Sequence, residues 1–184
     1  MSTAAPPAQP GHARGLTRAV LSTVPVLGAA AFLLLVGIPG SSTQSLRIVT
    51  SSMSPTLRPG DHVLVSHVGR GGDAWRRGDV VVLDLGPGPL VIKRIVGLPG
   101  DVVALRDGRL WRNGQEIDEP WSDPGLIDSV YYGPVQVPAG DVLVFGDNRR
   151  ESRDSRDFGP VPMGDVRARV VTVLWPPSRA GEQP

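Results

Sequence analysis

The side chains with the clearest capacity for chemistry include the only lysine of the chain. Lys93 stands alone among 19 basic residues, because the other 18 are arginine. Arginine keeps its proton in proteins, whereas a lysine that is buried among apolar side chains can become a neutral amine and accept one. Lys93 follows the apolar run Leu90-Val91-Ile92. Alternation on a strand sends Lys93 and Arg94 to opposite faces, and spacing does not decide which of them enters the core.

A serine cluster at Ser51-Ser52, just after Thr50, lies where an apolar strand gives way to a turn. A serine needs a base to become a nucleophile, and histidine is the usual one. His62 and His67 lie five residues apart in an exposed-looking strand, and no evident acid orients either ring, so a Ser-His-Asp triad has little support. A neutral lysine is the alternative base, which makes Lys93 the candidate partner of this cluster.

The composition excludes several other kinds of site. The chain has 184 residues and no cysteine, so disulfides, thiolate nucleophiles and cysteine-bound metals are excluded. None of the three histidines has a spacing typical of a metal site, and we expect neither a metal nor a cofactor. The net charge of +1 gives no electrostatic reason to expect nucleic-acid binding.

An uncharged segment over residues 19–38 separates the amino terminus from the rest of the chain. Its length suits a helix that crosses about 30 Å of hydrocarbon. Arg14 and Arg18 precede it, which predicts a cytoplasmic amino terminus. We therefore expect a cytoplasmic arm over 1–18, a single transmembrane anchor over 19–38 and a linker over 39–45. A cleaved secretory signal, whose apolar region is shorter, and a buried core helix are the alternatives.

The remaining sequence predicts a mainly β, antiparallel domain over residues 46–175, followed by a flexible tail over 176–184. Short segments rich in Val, Ile and Leu alternate with Gly and Pro turns. Asp107-Gly108 and Asn113-Gly114 are typical of two-residue hairpins, because both residues of such turns need positive φ angles. A loop is predicted over 118–133. The predicted strands cover residues 46–50, 62–68, 79–85, 90–97, 102–106, 109–112, 115–117, 135–137, 141–145 and 166–175.

Four segments resemble, in the same order, the signature motifs of the type I signal peptidases, membrane-bound serine endopeptidases with a Ser-Lys dyad. Ser-Met-x-Pro-Thr-Leu is matched at residues 52–57, and a Gly-Asp-hydrophobic motif at 77–82. Lys-Arg-x-x-Gly-x-Pro-Gly-Asp is matched at 93–101, and Gly-Asp-Asn-x-x-x-Ser-x-Asp-Ser-Arg-x-x-Gly at 146–159. The short segment between the last two motifs is similar to the compact Gram-positive and actinobacterial form of the family.

The resemblance implies roles for individual residues. Ser52 corresponds to the nucleophile and Lys93 to the general base, which later donates a proton to the leaving amine. Ser152 corresponds to a hydroxyl that hydrogen bonds the lysine amine and orients it. Thr50 corresponds to a side-chain donor to the oxyanion, beside the backbone N–H of Ser52. The resemblance further implies two structural ion pairs, which are formed by Arg94 with Asp147 and by Asp154 with Arg156.

The implied function is removal of N-terminal signal peptides from translocated preproteins, at the outer face of the cytoplasmic membrane. An extended cleavage region can add as a strand to a sheet edge. An exposed apolar surface around Met53 and Leu57 would suit work at a membrane, whereas their alternative role is core packing. The expected partners are signal peptides, membrane lipid and the output of the secretion translocon, with no nucleic acid. The expected pocket residues are Ile48, Met53, Val91 and Ile92.

Two other functions stay open. A self-cleaving Ser-Lys protease of the repressor type shares the dyad chemistry, but that class carries a DNA-binding module where this chain has its predicted anchor. A catalytically inactive, membrane-tethered peptide-binding protein is the other alternative. Loss of Ser52 or Lys93 would be typical of such a protein, and both residues are present.

Overall fold

The computed structural model describes residues 43–67, 75–122 and 130–184. Within these ranges the regular structure is almost entirely β strand, which confirms the mainly β prediction. The one α-helical segment there, α1 (Ser155–Phe158), is a single turn. The strands are β1 (Thr43–Arg47), β2 (His62–His67), β3 (Val80–Leu83), β4 (Val91–Gly97), β5 (Val102–Arg106), β6 (Arg109–Arg112), β7 (Gln115–Glu116), β8 (Tyr132–Gln136), β9 (Asp141–Phe145), β10 (Val161–Pro162) and β11 (Val166–Trp175).

These strands form two sheets in which every pairing is antiparallel, as predicted. The larger sheet has the order β1-β2-β11-β3-β4-β9-β10, and the smaller has the order β7-β6-β5-β8. Strand β4 lies inside the larger sheet, between β3 and β9. Arg94 is paired on both sides, with Val80 on β3 and Phe145 on β9, whereas Lys93 is paired with Val81 on β3.

The apolar residues of the strands pack into three buried groups. One group contains Met53 and Leu57 together with side chains of β2, β3 and β11. Met53 is 2% exposed and Leu57 is fully buried, so of the two roles left open by the sequence both side chains have the core-packing one. The turn that follows Ser52 folds both side chains into the core. Another group joins the two sheets, because Leu143 and Phe145 of β9 pack with Val103 of β5.

The two tight hairpin turns lie where the sequence predicts them. Asp107 and Asn113 have positive φ angles of 48° and 52°, and the glycine that follows each of them also has a positive φ angle. These turns join β5 to β6 and β6 to β7. Asn113 also accepts a hydrogen bond from the backbone of Val102 at 2.8 Å, so its side chain closes the β5 edge of the hairpin.

Strand boundaries differ from the prediction where proline or polar residues stand in strands. Strand β8 begins at Tyr132, three residues before the predicted 135–137 segment, and it contains Gly133 and Pro134. Proline is tolerated there because β8 lies at the edge of its sheet. Strand β1 lies at the other sheet's edge and includes residues 43–45 of the predicted linker. Ile48 and the two residues after it leave β1 and continue towards Ser52.

The carboxyl-terminal segment 176–184 was predicted to be a flexible tail, but it is tied to the domain. Val173 of β11 donates its N–H to the Glu182 carbonyl and accepts from Gly181, both at 2.9 Å. The Arg179 guanidinium donates to Asp61 and, at 2.7 Å, to the Thr56 carbonyl. The tail was predicted from its polar sequence, which does not reveal partners about 120 residues away.

In the part of the chain that the structure describes, no helix has the length and apolar character needed to span a membrane. The predicted cytoplasmic arm, the predicted anchor and residues 39–42 of the predicted linker lie outside the described residues.

Candidate active site

Ser52 lies in a turn whose two apolar residues are anchored in the core. Leu57 donates its N–H to the Met53 carbonyl at 2.9 Å, and both side chains are buried beneath the turn. The backbone N–H of Ser54 donates to the Ser51 carbonyl at 2.9 Å, which closes a tight turn around Ser52. Because the apolar side chains point into the core, the half-buried Ser52 hydroxyl is left at the surface of the domain.

Strand β4 places Lys93 next to the Ser52 hydroxyl. Its Nζ is hydrogen bonded to Ser52 Oγ at 2.8 Å, and the residue is only 3% exposed. Burial lowers the pKa of Lys93 from its ordinary value, while the carboxylates of Asp154 and Asp147 oppose this shift. A lowered pKa makes the neutral amine accessible, and that form can accept the proton of a hydroxyl.

Thr50 and Ser152, the two hydroxyl residues implied to support the reaction, have different surroundings. Thr50 Oγ1 lies 3.4 Å from Ser52 Oγ, so it is on the same side of the turn. Ser152 lies against Gly146, where an added Cβ would be 2.2 Å from Ser152 Oγ and 2.5 Å from the Ser52 carbonyl. Only glycine therefore allows these segments to approach so closely.

The Ser152 hydroxyl is buried and, among the described residues, has no hydrogen-bond partner. It is close enough to Asp154 to contribute to the lowered pKa of that carboxyl group, without forming a hydrogen bond of ordinary geometry. The bond to the Lys93 amine that the resemblance implies is thus not formed in this conformation. The orienting role of Ser152 stays a prediction.

Arg94 occupies the opposite face of β4, as strand alternation predicts. Its Nε and Nη2 donate to the two carboxylate oxygens of Asp147 at 2.9 and 2.7 Å, and both residues are buried. Its Nη1 donates to the Gly78 carbonyl at 2.8 Å, and its guanidinium lies 4.3 Å from the centre of the Trp121 ring. The expected ion pair between Arg94 and Asp147 is therefore present, and it holds β4 to the segment that begins directly after β9.

The second expected pair, between Asp154 and Arg156, is also present. Arg156 donates through Nε and Nη2 to the Asp154 carboxylate at 2.8 and 2.9 Å. Asp154 is the N-cap of α1 and accepts from the Gly146 N–H at 2.9 Å. Burial acts to raise the pKa of Asp154, but the hydrogen bonds from Arg156 and Gly146 outweigh it and keep the pKa low. The carboxylate thereby connects α1 to the glycine beside Ser52.

A cleft of about 780 Å³ contains both Ser52 and Lys93. One wall is the extended segment that leads to Ser52, and the other is the segment 85–90 with the start of β4. Val49 and Leu90 are 76% and 52% exposed beside it. Neither His62 nor His67 is among the described residues that line the cleft, so the triad alternative gains no support. All four residues expected to form substrate pockets line it, namely Ile48, Met53, Val91 and Ile92.

The family model described as signal peptidase, peptidase S26, matches residues 16–175 of the chain. The chain belongs to this signal peptidase family. Signal peptidase I of Leptolyngbya laminosa is 33% identical to it over 189 residues, which cover 96% of this chain and 91% of that protein. Signal peptidase IB of Staphylococcus aureus strain COL is 32% identical over 164 residues, which cover 80% and 86% respectively.

A crystal structure of a signal peptidase I from Enterococcus faecalis V583 shares 30% sequence identity and covers 54% of this chain and 98% of that one, with a TM-score of 0.47. From its family membership, the chain is a serine peptidase that removes signal peptides.

Several contacts around this signal peptidase site were not found from the sequence. Trp121, in the predicted loop, stacks on Arg94, and Glu119 forms a buried ion pair with Arg149 at 2.5 Å. Burial raises the pKa of Glu119, and Arg149 partly offsets that shift. Arg149 also donates to the Gly146 carbonyl at 3.0 Å, so the loop supports the segment beside Ser52. No pattern in the sequence indicates that Glu119 pairs with Arg149, because 30 residues separate the two.

Within residues 43–67, 75–122 and 130–184, no three His, Cys, Asp or Glu side chains are grouped in a way that could hold a metal ion.

Proposed function

We propose that this signal peptidase cleaves its substrates with Ser52 as the nucleophile and Lys93 as the general base. The observation that carries the proposal is the 2.8 Å separation between Lys93 Nζ and Ser52 Oγ, with the lysine buried and its pKa lowered by that burial. A permanently charged lysine in this position could only donate a hydrogen bond. A neutral one can remove the hydroxyl proton as the serine oxygen attacks.

The reaction begins when the neutral Lys93 amine takes the Ser52 proton and Ser52 Oγ bonds to the carbonyl carbon of the scissile peptide. The carbonyl oxygen becomes an oxyanion, which accepts hydrogen bonds from the Ser52 N–H and the Thr50 hydroxyl. The Lys93 ammonium then donates its proton to the leaving amine as the C–N bond breaks, leaving an acyl-enzyme. Lys93, neutral again, takes a proton from water, whose oxygen attacks the ester carbonyl. The ester bond breaks, and Ser52 recovers its proton from Lys93.

The substrate lies in the cleft as an extended strand. The start of β4 beside Lys93 is strand whose pairing with β9 begins only at Arg94, so an extended peptide can form main-chain hydrogen bonds with this free edge. Alternate side chains of a strand point to the same face, so every second residue of the substrate faces the cleft floor. Ile48, Met53, Val91 and Ile92 all line the cleft, and the half-buried Val91 and Ile92 give its floor more accessible apolar surface than the buried Ile48 and Met53.

We further propose that the enzyme is anchored in the membrane and acts at its outer face. The uncharged segment 19–38 is a single membrane anchor with a cytoplasmic amino terminus, and residues 46–175 form the catalytic domain on the outer side. The arginines at positions 14 and 18 support this orientation. The enzyme then meets signal peptides as they leave the secretion translocon, while their apolar segments are still in lipid. It uses neither a cofactor nor a metal.

The proposed dyad is tested with purified full-length protein in detergent and a synthetic preprotein whose cleavage site is known. Wild-type protein should release one amino-terminal fragment, which mass spectrometry identifies. Ser52→Ala should release none, although it should still bind the substrate. Equal cleavage by Ser52→Ala would overturn the proposal. Saturable binding without cleavage by the wild type would instead favour the inactive peptide-binding alternative.

A further inference from the structure

Three polar side chains connect the nucleophile turn to the segment that follows β9. Ser51 Oγ donates to Glu151 Oε2 at 2.7 Å, although 100 residues separate the two. The Asn148 amide donates to the same carboxylate oxygen at 3.2 Å and to the Ser51 carbonyl at 3.3 Å. We call Ser51, Asn148 and Glu151 the Ser51 clamp. Its members do not enter the proton transfers described above.

The clamp is attached to a rigid base. Asp147, the residue before Asn148, is buried in the bidentate pair with Arg94. The Asn148 N–H donates to the Ser52 carbonyl at 3.1 Å, and the Glu151 N–H donates to the Asn148 side-chain oxygen at 3.3 Å. The position of Asn148 is therefore fixed from its own backbone, and its amide transmits that position to the turn that carries Ser52.

The Ser51 carbonyl and the Ser52 N–H belong to one planar peptide unit and point in opposite directions. The Ser54 N–H holds the Ser51 oxygen from within the turn at 2.9 Å, and the Asn148 amide is a second donor to it at 3.3 Å. The two hydrogen bonds together fix the direction of the Ser52 N–H. We propose that the Ser51 clamp positions this peptide unit for oxyanion binding, an inference that rests on the proposed function. Glu151 is the positioning residue that completes the clamp, because its carboxylate holds the Ser51 hydroxyl and the Asn148 amide together.

The surroundings of Glu151 separate this role from a merely structural one. Glu151 is exposed and lines the cleft, so its loss opens no cavity in the core. Exposed polar contacts of this kind contribute little to global stability. A catalytic donor, in contrast, must be held to within about 0.5 Å. The clamp should therefore affect kcat far more than it affects the thermal midpoint of unfolding.

The kinetic test compares Glu151→Ala and Glu151→Gln in full-length protein with the synthetic preprotein. Glu151→Ala should lower kcat about 10- to 100-fold while KM stays within about twofold, because misplacement by about 1 Å costs on the order of 100-fold. Glu151→Gln keeps an oxygen acceptor and should recover most of kcat. Glu116→Ala is the control, because it breaks an exposed ion pair with Arg109 in the other sheet and should leave kcat unchanged.

The coupling of the pair is tested with Ser51→Ala and the double variant. If both side chains act through one hydrogen bond, Ser51→Ala with Glu151→Ala should be no slower than Glu151→Ala alone. Multiplicative losses in the double variant would contradict the clamp. Wild-type kcat in Glu151→Ala would overturn it, and so would Glu151→Gln as slow as Glu151→Ala, because the effect would then come from charge.

A readout independent of cleavage separates this inference from the proposed function. Amide hydrogen exchange of a peptide covering residues 48–57 should be faster in Glu151→Ala than in the wild type, and unchanged in Glu116→Ala. If wild-type protein fails to cleave the preprotein while Glu151→Ala shows faster exchange, the proposed function fails and the clamp stands. Unchanged exchange in Glu151→Ala would overturn the clamp whether or not the wild type is active.

Discussion

Lys93 and Arg94 are adjacent on β4 and equally buried, each 3% exposed, yet their surroundings differ completely. Lys93 meets a neutral hydroxyl, and burial lowers its pKa. On the other face of the strand, Arg94 meets the Asp147 carboxylate, a backbone carbonyl and an indole ring. One strand thus buries two basic side chains, of which one is hydrogen bonded to a neutral hydroxyl and the other to a carboxylate.

The difference shows how burial and pairing act separately. Burial disfavours the charged form of either side chain. On the Arg94 face, a bidentate carboxylate compensates for that cost and makes the charge a structural element. On the Lys93 face, Asp154 and Asp147 act on the amine electrostatically, and burial still outweighs them. Exchanging the two basic residue types, one position at a time, is therefore the most informative way to test the comparison.

Lys93→Arg should have the largest effect. Guanidinium does not release its proton in a protein, so this variant lacks a base, and kcat should fall about 10⁴-fold, as when a catalytic triad loses a member. Circular dichroism should show that the β fold is retained. Lys93→Met is the matched control, because it removes the amine without adding a buried charge. Substantial activity in Lys93→Arg would mean that His62 or His67 has to be reconsidered as the base.

The reciprocal change, Arg94→Lys, should reduce stability instead. A lysine reaches Asp147 with one ammonium group and loses the second hydrogen bond, the contact with the Gly78 carbonyl and the stacking on Trp121. We expect the free energy of unfolding to fall by about 3 kcal/mol, near the lower end of the cost of disrupting a buried ion pair. Urea unfolding measures it.

Arg109→Lys is the control for that experiment, because its side chain is 61% exposed and pairs with Glu116 at the surface. It should cost less than about 0.5 kcal/mol. Equal losses from the two arginine variants would show that the Arg94 face does not differ energetically from an exposed pair.

The smallest of these effects is expected at the carboxyl-terminal segment. Arg179→Met removes the hydrogen bonds to the Thr56 carbonyl and to the buried Asp61 carboxylate. Asp61 keeps its hydrogen bond from the Arg58 N–H but loses its cationic partner, and the Thr56 carbonyl loses its donor, which together should cost about 2 kcal/mol in the free energy of unfolding. Arg167→Met is the matched control, because its pair with Asp84 is about half exposed. No difference between the two variants would indicate that segment 176–184 behaves as the flexible tail predicted from the sequence.

Motifs, turn residues and alternation were sufficient to predict much of the fold and the residues brought together at the site. The φ preferences of Asp-Gly and Asn-Gly are local, so the hairpins could be located closely. Alternation on β4 correctly separated Lys93 from Arg94, but it could not say what each would face. The resemblance supplied Ser52, which lies 41 residues before Lys93, and Asp147, which lies 53 residues after Arg94.

Contacts that depend on three-dimensional proximity alone could not be predicted. The Ser51–Glu151 bond, Trp121 over Arg94 and the contacts of Arg179 join residues with no shared pattern. The burial of Met53 and Leu57 was left open because an apolar residue beside a nucleophile can face either the core or the surface. The surroundings of Ser152 depend on side-chain orientation near Gly146, which the fourth motif does not specify.

If Lys93 acts as a base because burial lowers its pKa, that pKa can be measured directly in this chain. Since Lys93 is the only lysine, protein labelled with ¹³Cε-lysine gives a single lysine side-chain signal. We expect this signal to titrate below the ordinary value of about 10.4, in the wild type and in Ser52→Ala alike. Because the neutral amine is the reactive form, wild-type kcat/KM should be low at acid pH and rise through the same pKa. A Lys93 pKa at or above about 10.4 would show that burial does not lower it. A kcat/KM that does not rise through the measured pKa would show that Lys93 is not the base.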